Sequence, residues 1–223
     1  MDKGIGFNRN ILLPWLDAAA ACRVEADDRE SIRHRLEGIV GADIESDENR
    51  RKAIDILVNI WLGSRSASPT LHGEAVARFR AASSADEHLW LHYGLVLLAY
   101  PFFREVAVVI GQLARQGESI ASGVVKRRLT NSRGQLGSLG KAVERVVFSL
   151  RHWGLLEDSG QRNRYVARCG ALTTSDAGLE AWLLACALRA HPAQELPLLD
   201  LTRLPELFAF RFSVGLYALR QSP

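Results

Sequence analysis

The sequence predicts an all-α, mainly helical protein: a multi-helix bundle with a winged helix-turn-helix element and a small β hairpin. Three observations predict it. Apolar residues recur at helical spacing along most of the chain. No strand pattern precedes about residue 155. The positive charge gathers in one segment: residues 104–168 hold 12 Lys and Arg against 5 Asp and Glu, while residues 1–103 net −3 and residues 169–223 net −1. The 223 residues are 48% hydrophobic with a net charge of only +3. That composition supports a folded core and argues against extensive disorder.

Residues 11–22 are apolar and Ala-rich and form the first helix, with Pro14 acceptable only in its first turn. Asp27 or Asp28 caps a second helix to about Val40, with a buried stripe of Ile32, Leu36, Ile39 and Val40. Gly41 suits its end. Residues 46–62 form a third helix, acidic in its first turn, with Ile54, Leu57, Val58 and Trp61 on one face. Residues 63–69 are a loop and the best internal linker. A fourth helix covers 70–82. Ser84 and Glu87 make a capping box before a strongly apolar helix. Pro101 ends that helix or starts the next, 102–115, which buries Val106, Val109, Ile110 and Leu113. Residues 89–103 contain no charged side chain. A membrane span needs about twenty apolar residues, so this stretch reads as a core helix with no membrane partner.

The basic segment carries the most informative pattern. A short helix over 119–129 ends in Lys126, Arg127 and Arg128. A polar turn over 130–134 contains Arg133. A long helix over 136–153 puts Val143, Val146, Val147 and Leu150 on one face. Ser138, Lys141, Arg145 and His152 lie on the other. A turn at 159–163 and a return strand at 165–169 follow, with Arg162 and Arg164 on the hairpin. Helix, turn, long amphipathic helix and basic hairpin are the order of a winged helix-turn-helix. There the second helix enters a groove and the wing contacts the backbone. Lys and Arg suit phosphate, and small polar groups near a helix start bring backbone amides close to the anion. The candidate nucleic-acid-binding residues are therefore Lys126, Arg127, Arg128, Arg133, Ser138, Lys141, Arg145, Arg162 and Arg164. Double-stranded DNA is the expected partner, with RNA as the alternative. A scaffold whose winged helix docks a protein is the rival class.

Beyond this segment, Thr174 or Ser175 caps a helix over 177–190. A loop follows at 191–197, then a short helix at 202–208. Phe210, Phe212, Val214 and Leu216 alternate like a strand. The expected divisions are a helical bundle over 1–116, the winged element over 117–170 and a C-terminal helical extension over 171–223.

Catalytic patterns fail on chemistry. Residues 134–141 imitate a phosphate-binding loop, but the spacing is one residue too long. Ala142 also replaces the Ser or Thr that would hold magnesium, and no buried strand precedes. Ser119 within 117–121 imitates a nucleophile elbow without the strand that motif needs, and reads as the start of a helix. His88 and His92 share a helical face, but the local sequence places no third ligand beside them. Cys22, Cys169 and Cys186 are too few and too scattered for a disulfide framework or a zinc site. The expectation is a non-enzymatic protein with no cofactor and no metal. No secretory signal pattern opens the chain, so a cytoplasmic location is expected.

The segment 7–13 (Phe-Asn-Arg-Asn-Ile-Leu-Leu), the aromatic join Tyr100-Pro101-Phe102-Phe103, Ser138-Leu139-Gly140-Lys141 and Trp153-Gly154-Leu155-Leu156 together resemble the BrxA family of BREX phage-exclusion systems. The resemblance covers about two thirds of the chain and matches nothing after Gly170. It implies a small helical DNA-binding protein acting with other phage-defence proteins, a methyltransferase among them. The family's likeness to the RNA-binding antitermination factor NusB supports the RNA alternative.

Overall fold

Cap residues and apolar stripes set most of the helices. The computed structural model describes residues 5–63, 68–82, 84–133 and 137–213, without the side chains of Ser132 and Arg133. Helix α1 (Leu13–Glu25) carries Pro14 in its first turn. Helix α2 (Arg29–Gly41) is capped by Asp28, which accepts from Ser31 N at 2.7 Å. Helix α3 (Asp47–Leu62) is capped by Ser46. Helix α4 is Pro69–Ala81. Ser84 Oγ accepts from Glu87 N at the start of α5 (Ala85–Ala99), and α6 follows at Pro101–Arg115. Then come α7 (Ser122–Arg133), α8 (Leu139–His152), strands β1 (Leu156–Asp158) and β2 (Tyr165–Ala167), α9 (Ala177–Ala190), α10 (Leu198–Leu201) and a 3-10 turn at Pro205–Leu207. The protein is thus mainly helical, with one antiparallel hairpin in which Leu156 faces Ala167 and Asp158 faces Tyr165.

Helix α5 is the centre. Every residue from Leu89 to Leu97 is buried, so it has no polar face. Each large aliphatic or aromatic side chain removed from water there contributes about 1.5–3 kcal/mol. Among the described residues no single helix is long and apolar enough to cross a membrane; α5 and α6 reach the length only together, and they meet at 116°. Gly111 of α6 lets the chain at Pro205 approach: a Cβ there would lie 1.9 Å from the Pro205 carbonyl oxygen.

The segment before α1 is tied to α8. Phe7 packs edge-on to Tyr100 and Trp153. Ile11 N donates to Ser149 Oγ at 2.9 Å, and Trp153 Nε1 donates to the Ile11 carbonyl at 2.9 Å. One buried cluster runs from Phe7 through to Phe210, so all three expected segments share a core. Helix α6 packs against α7, α8 and β2 as well as against the 3-10 turn.

Several local expectations are corrected. Ile39 is 42% exposed, because it lies about 60° from the centre of the Ile32, Leu36 and Val40 stripe at 100° per residue. The predicted helix over 119–129 starts later and ends later. Ser119 precedes it in an extended segment, and Thr130 to Arg133 are helical rather than a turn. Thr130 Oγ1 donates to the Lys126 carbonyl at 2.9 Å, which lets a hydroxyl residue stay in the helix. Gly134 to Leu136 lie outside the described residues. Helix α9 is capped by Asp176, which accepts from Gly178 N at 2.8 Å, while Thr174 Oγ1 takes Asp176 N. Of the helix expected over 202–208 only the 3-10 turn Pro205–Leu207 forms, opened by Pro205, and the short helix α10 precedes it at Leu198–Leu201. Phe210 forms a single parallel bridge with Leu172, and Val214 and Leu216 lie outside the described residues.

Candidate nucleic-acid interface

Helix α8 buries Val143, Val146, Val147 and Leu150 and leaves Lys141, Glu144, Arg145, Phe148 and His152 exposed. Its start is open. Ser138, at the cap position, has helical backbone angles and makes no capping hydrogen bond. The Lys126 ammonium stands beside this first turn, since a Cβ on Gly140 would lie 3.3 Å from Lys126 Nζ.

The hairpin closes against the segment before α7. Ile120 N donates to the Tyr165 carbonyl at 2.8 Å, and Tyr165 N donates to the Ile120 carbonyl at 2.9 Å. Ile120 is therefore a one-residue third strand beside β2, which sequence patterning did not mark. The turn between the strands is tight. Gly160 at φ 80° and Asn163 at φ 57° occupy left-handed backbone, which glycine and asparagine tolerate. Ser159 N and Oγ both donate to the Arg164 carbonyl.

The expected basic residues separate into two groups. Lys126, Arg127, Lys141 and Arg162 are exposed and form neither an ion pair nor a side-chain hydrogen bond among the described residues. Arg128 is turned away. Two residues along a helix is 200°, and its guanidinium bonds Glu118 at 3.0 Å and Gln116 at 2.9 Å. Arg145 Nη1 donates to Asn10 Oδ1 at 3.1 Å, and Arg164 Nη1 donates to Ser119 Oγ at 2.8 Å. The Arg133 side chain lies outside the described residues.

Three features escaped the sequence reading. Phe148 is 37% exposed on the charged side of α8, where its helical phase puts it with Lys141, Glu144 and Arg145. Arg151 stacks on the Tyr165 ring at 4.5 Å and pairs with Asp158 at 3.2 Å, bracing the hairpin. Arg9 and Asn10 come from the distant N-terminal segment to flank Arg145. Clefts border this face. One of about 440 Å³ lies between Ser122, Glu144, Phe148, Arg151, Asn163 and Tyr165. Another, of about 340 Å³, lies between Phe148, His152 and β1. A third, of about 330 Å³, lies between the N-terminal segment, α3 and α8.

The histidine pair is placed elsewhere. Asp17 Oδ1 accepts from His88 Nδ1 at 3.0 Å and His92 Nε2 at 2.9 Å. Burial lowers the His92 pKa, against the raising effect of its bond to Asp17. Burial would raise the Asp17 carboxyl, but the hydrogen bond and charge of His92, with His88 behind them, hold it below its ordinary value. Among the described residues no group of three or more His, Cys, Asp and Glu is arranged to hold a metal ion. No family model, curated protein or solved structure shows significant similarity to the chain.

Proposed function

We propose that this chain is a non-enzymatic duplex-DNA-binding protein that uses α8 and the hairpin as a winged helix-turn-helix. The observation that carries the reading is the set of exposed cations with neither an ion pair nor a side-chain hydrogen bond among the described residues, spread over three adjoining elements: Lys126 and Arg127 on α7, Lys141 on α8 and Arg162 on the turn. The order of elements supports it. Helix α6, the Ile120 strand, α7, α8, β1, the turn and β2 follow one another as a winged helix requires, and Ile120 pairs with the final strand. The first turn of α8, where Ser138 makes no capping hydrogen bond, offers backbone amides to a phosphate, and Lys126 adds its charge beside them. The resemblance to the BrxA family points the same way and suggests work beside other phage-defence proteins.

Duplex DNA, single-stranded DNA and RNA of one sequence, titrated side by side at several salt concentrations, test the reading. Four phosphates neutralised by these four side chains give a log–log slope of about −3.6 on duplex. Tightest binding to duplex with a slope of that size supports the proposal. Tightest binding to RNA moves the reading to the NusB-like alternative. No salt-sensitive binding to any of them leaves the protein-docking scaffold.

A further inference from the structure

We propose that the cleft between the N-terminal segment and α8 receives one unstacked nucleotide of the bound nucleic acid, its base against Phe148 and its phosphate at Arg9 and Arg145. The inference rests on the nucleic-acid-binding reading above and gives that site a second, separate recognition element.

The cleft is lined by more cations than carboxylates. Arg9 and Arg145 both line it, and neither forms an ion pair among the described residues. Among the described residues Arg9 Nε is buried with no hydrogen-bond acceptor, while Nη1 of the same side chain donates to the neighbouring Asn8 carbonyl and amide oxygen. An orphaned buried guanidinium donor costs free energy until an acceptor arrives. The one carboxylate lining the cleft, Asp43, already accepts from Trp15 Nε1 at 2.9 Å. Two cations therefore face one carboxylate, whose bond to a neutral indole leaves its single charge unchanged, and the remaining positive charge suits an anion with several oxygens, which a phosphodiester is.

The cleft also has an aromatic surface and base-reading groups. Phe148 is one helical turn from Arg145 on the same face; its ring lies near-parallel to that of His152 at 6.4 Å and is 37% exposed, and a large apolar ring gains by being covered. Asn10 and Asn49 carry both donors and acceptors and stand at the rim. Size then chooses the occupant. A volume of about 330 Å³ is a small-ligand cleft, far too narrow for a duplex, whose groove geometry instead suits a protruding helix. A flat base stacked on one ring, with its phosphate on adjacent arginines, is the arrangement by which unpaired nucleotides are held.

The test compares a blunt duplex with the same duplex carrying one unpaired 2-aminopurine nucleotide, at fixed salt. Wild-type protein should bind the second about tenfold more tightly and quench its fluorescence by stacking. Phe148→Ala, Phe148→Leu and Arg9→Ala should each abolish the tenfold preference, and Phe148→Trp should keep it. Phe148→Leu preserves apolar bulk without a stacking ring, so its loss separates stacking from folding. Equal wild-type affinity for the two duplexes overturns the inference and leaves duplex binding intact. A preference that survives in Phe148→Ala and Arg9→Ala overturns the cleft assignment. Absence of binding to either duplex overturns both readings.

Discussion

Ile120 and Tyr165 exchange both of their backbone hydrogen bonds, at 2.8 and 2.9 Å, across 45 residues that contain α7, α8 and β1. This pairing sets where the hairpin stands relative to α8. Ile120 is also fully buried, so its side chain and its backbone act together. Ile120→Ala should cost about 2–4 kcal/mol. Hydrogen exchange checks it: protection at the Tyr165 amide should fall in the variant. Unchanged protection would mean the hairpin is positioned by Arg151 and α8 alone.

Gly111→Ala should destabilise the fold by about 1–3 kcal/mol, because the added methyl meets a backbone carbonyl at Pro205 that has no rotamer to change. Gly123, where a Cβ would meet nothing within 4 Å, is the comparison. Gly123→Ala in α7 should be neutral or stabilising by helix propensity. Urea denaturation of the two variants should show opposite signs.

Acid should weaken the fold through His92 and Asp17. His92 has a lowered pKa in the folded state, so below its ordinary 6.5 the unfolded chain takes up a proton that the folded chain refuses. Stability from His92 is present above pH 6.5 and is lost as pH falls toward the folded pKa. Asp17, also lowered, adds a loss of the same sign below its ordinary 3.8. The melting temperature should drop between pH 7 and pH 5, and His92→Gln should shrink that drop. An equal drop in the variant would contradict the assignment.

Alkali should act through the buried tyrosines. Burial pushes Tyr100 up to about 12 and raises Tyr93 as well. Their contribution is intact below pH 10 and is lost as pH rises from 10 toward 12, because the unfolded phenols ionise first. Tyr100→Phe should shift the alkaline unfolding midpoint upward.

The first half of the chain was legible because Asp28, Ser46 and Ser84 stand as caps in front of regular apolar stripes. The single-residue strand at Ile120 was not, since a strand signal needs several alternating positions and here one apolar residue stands between Ser119 and Ala121. The basic residues were legible as a set but not as a surface. Only the 200° phase difference from Lys126 and the presence of Glu118 show that Arg128 is engaged elsewhere. The Asn10 to Arg145 contact spans 135 residues, and no local pattern carries a pairing of that length. Phe148 was within reach, because its phase on α8 places it opposite Val143 and Val146.

The most direct test of the interface is the salt dependence of duplex-DNA binding by a Lys126→Ala, Lys141→Ala double variant, with Arg51→Ala on α3 as the control. Both lysines are exposed and their loss should leave the fold intact. If they neutralise phosphates at the start of α8, the double variant should flatten the log–log slope by about 2, and the control should match wild type. An unchanged slope and affinity in the double variant would contradict the placement of the nucleic acid on α8.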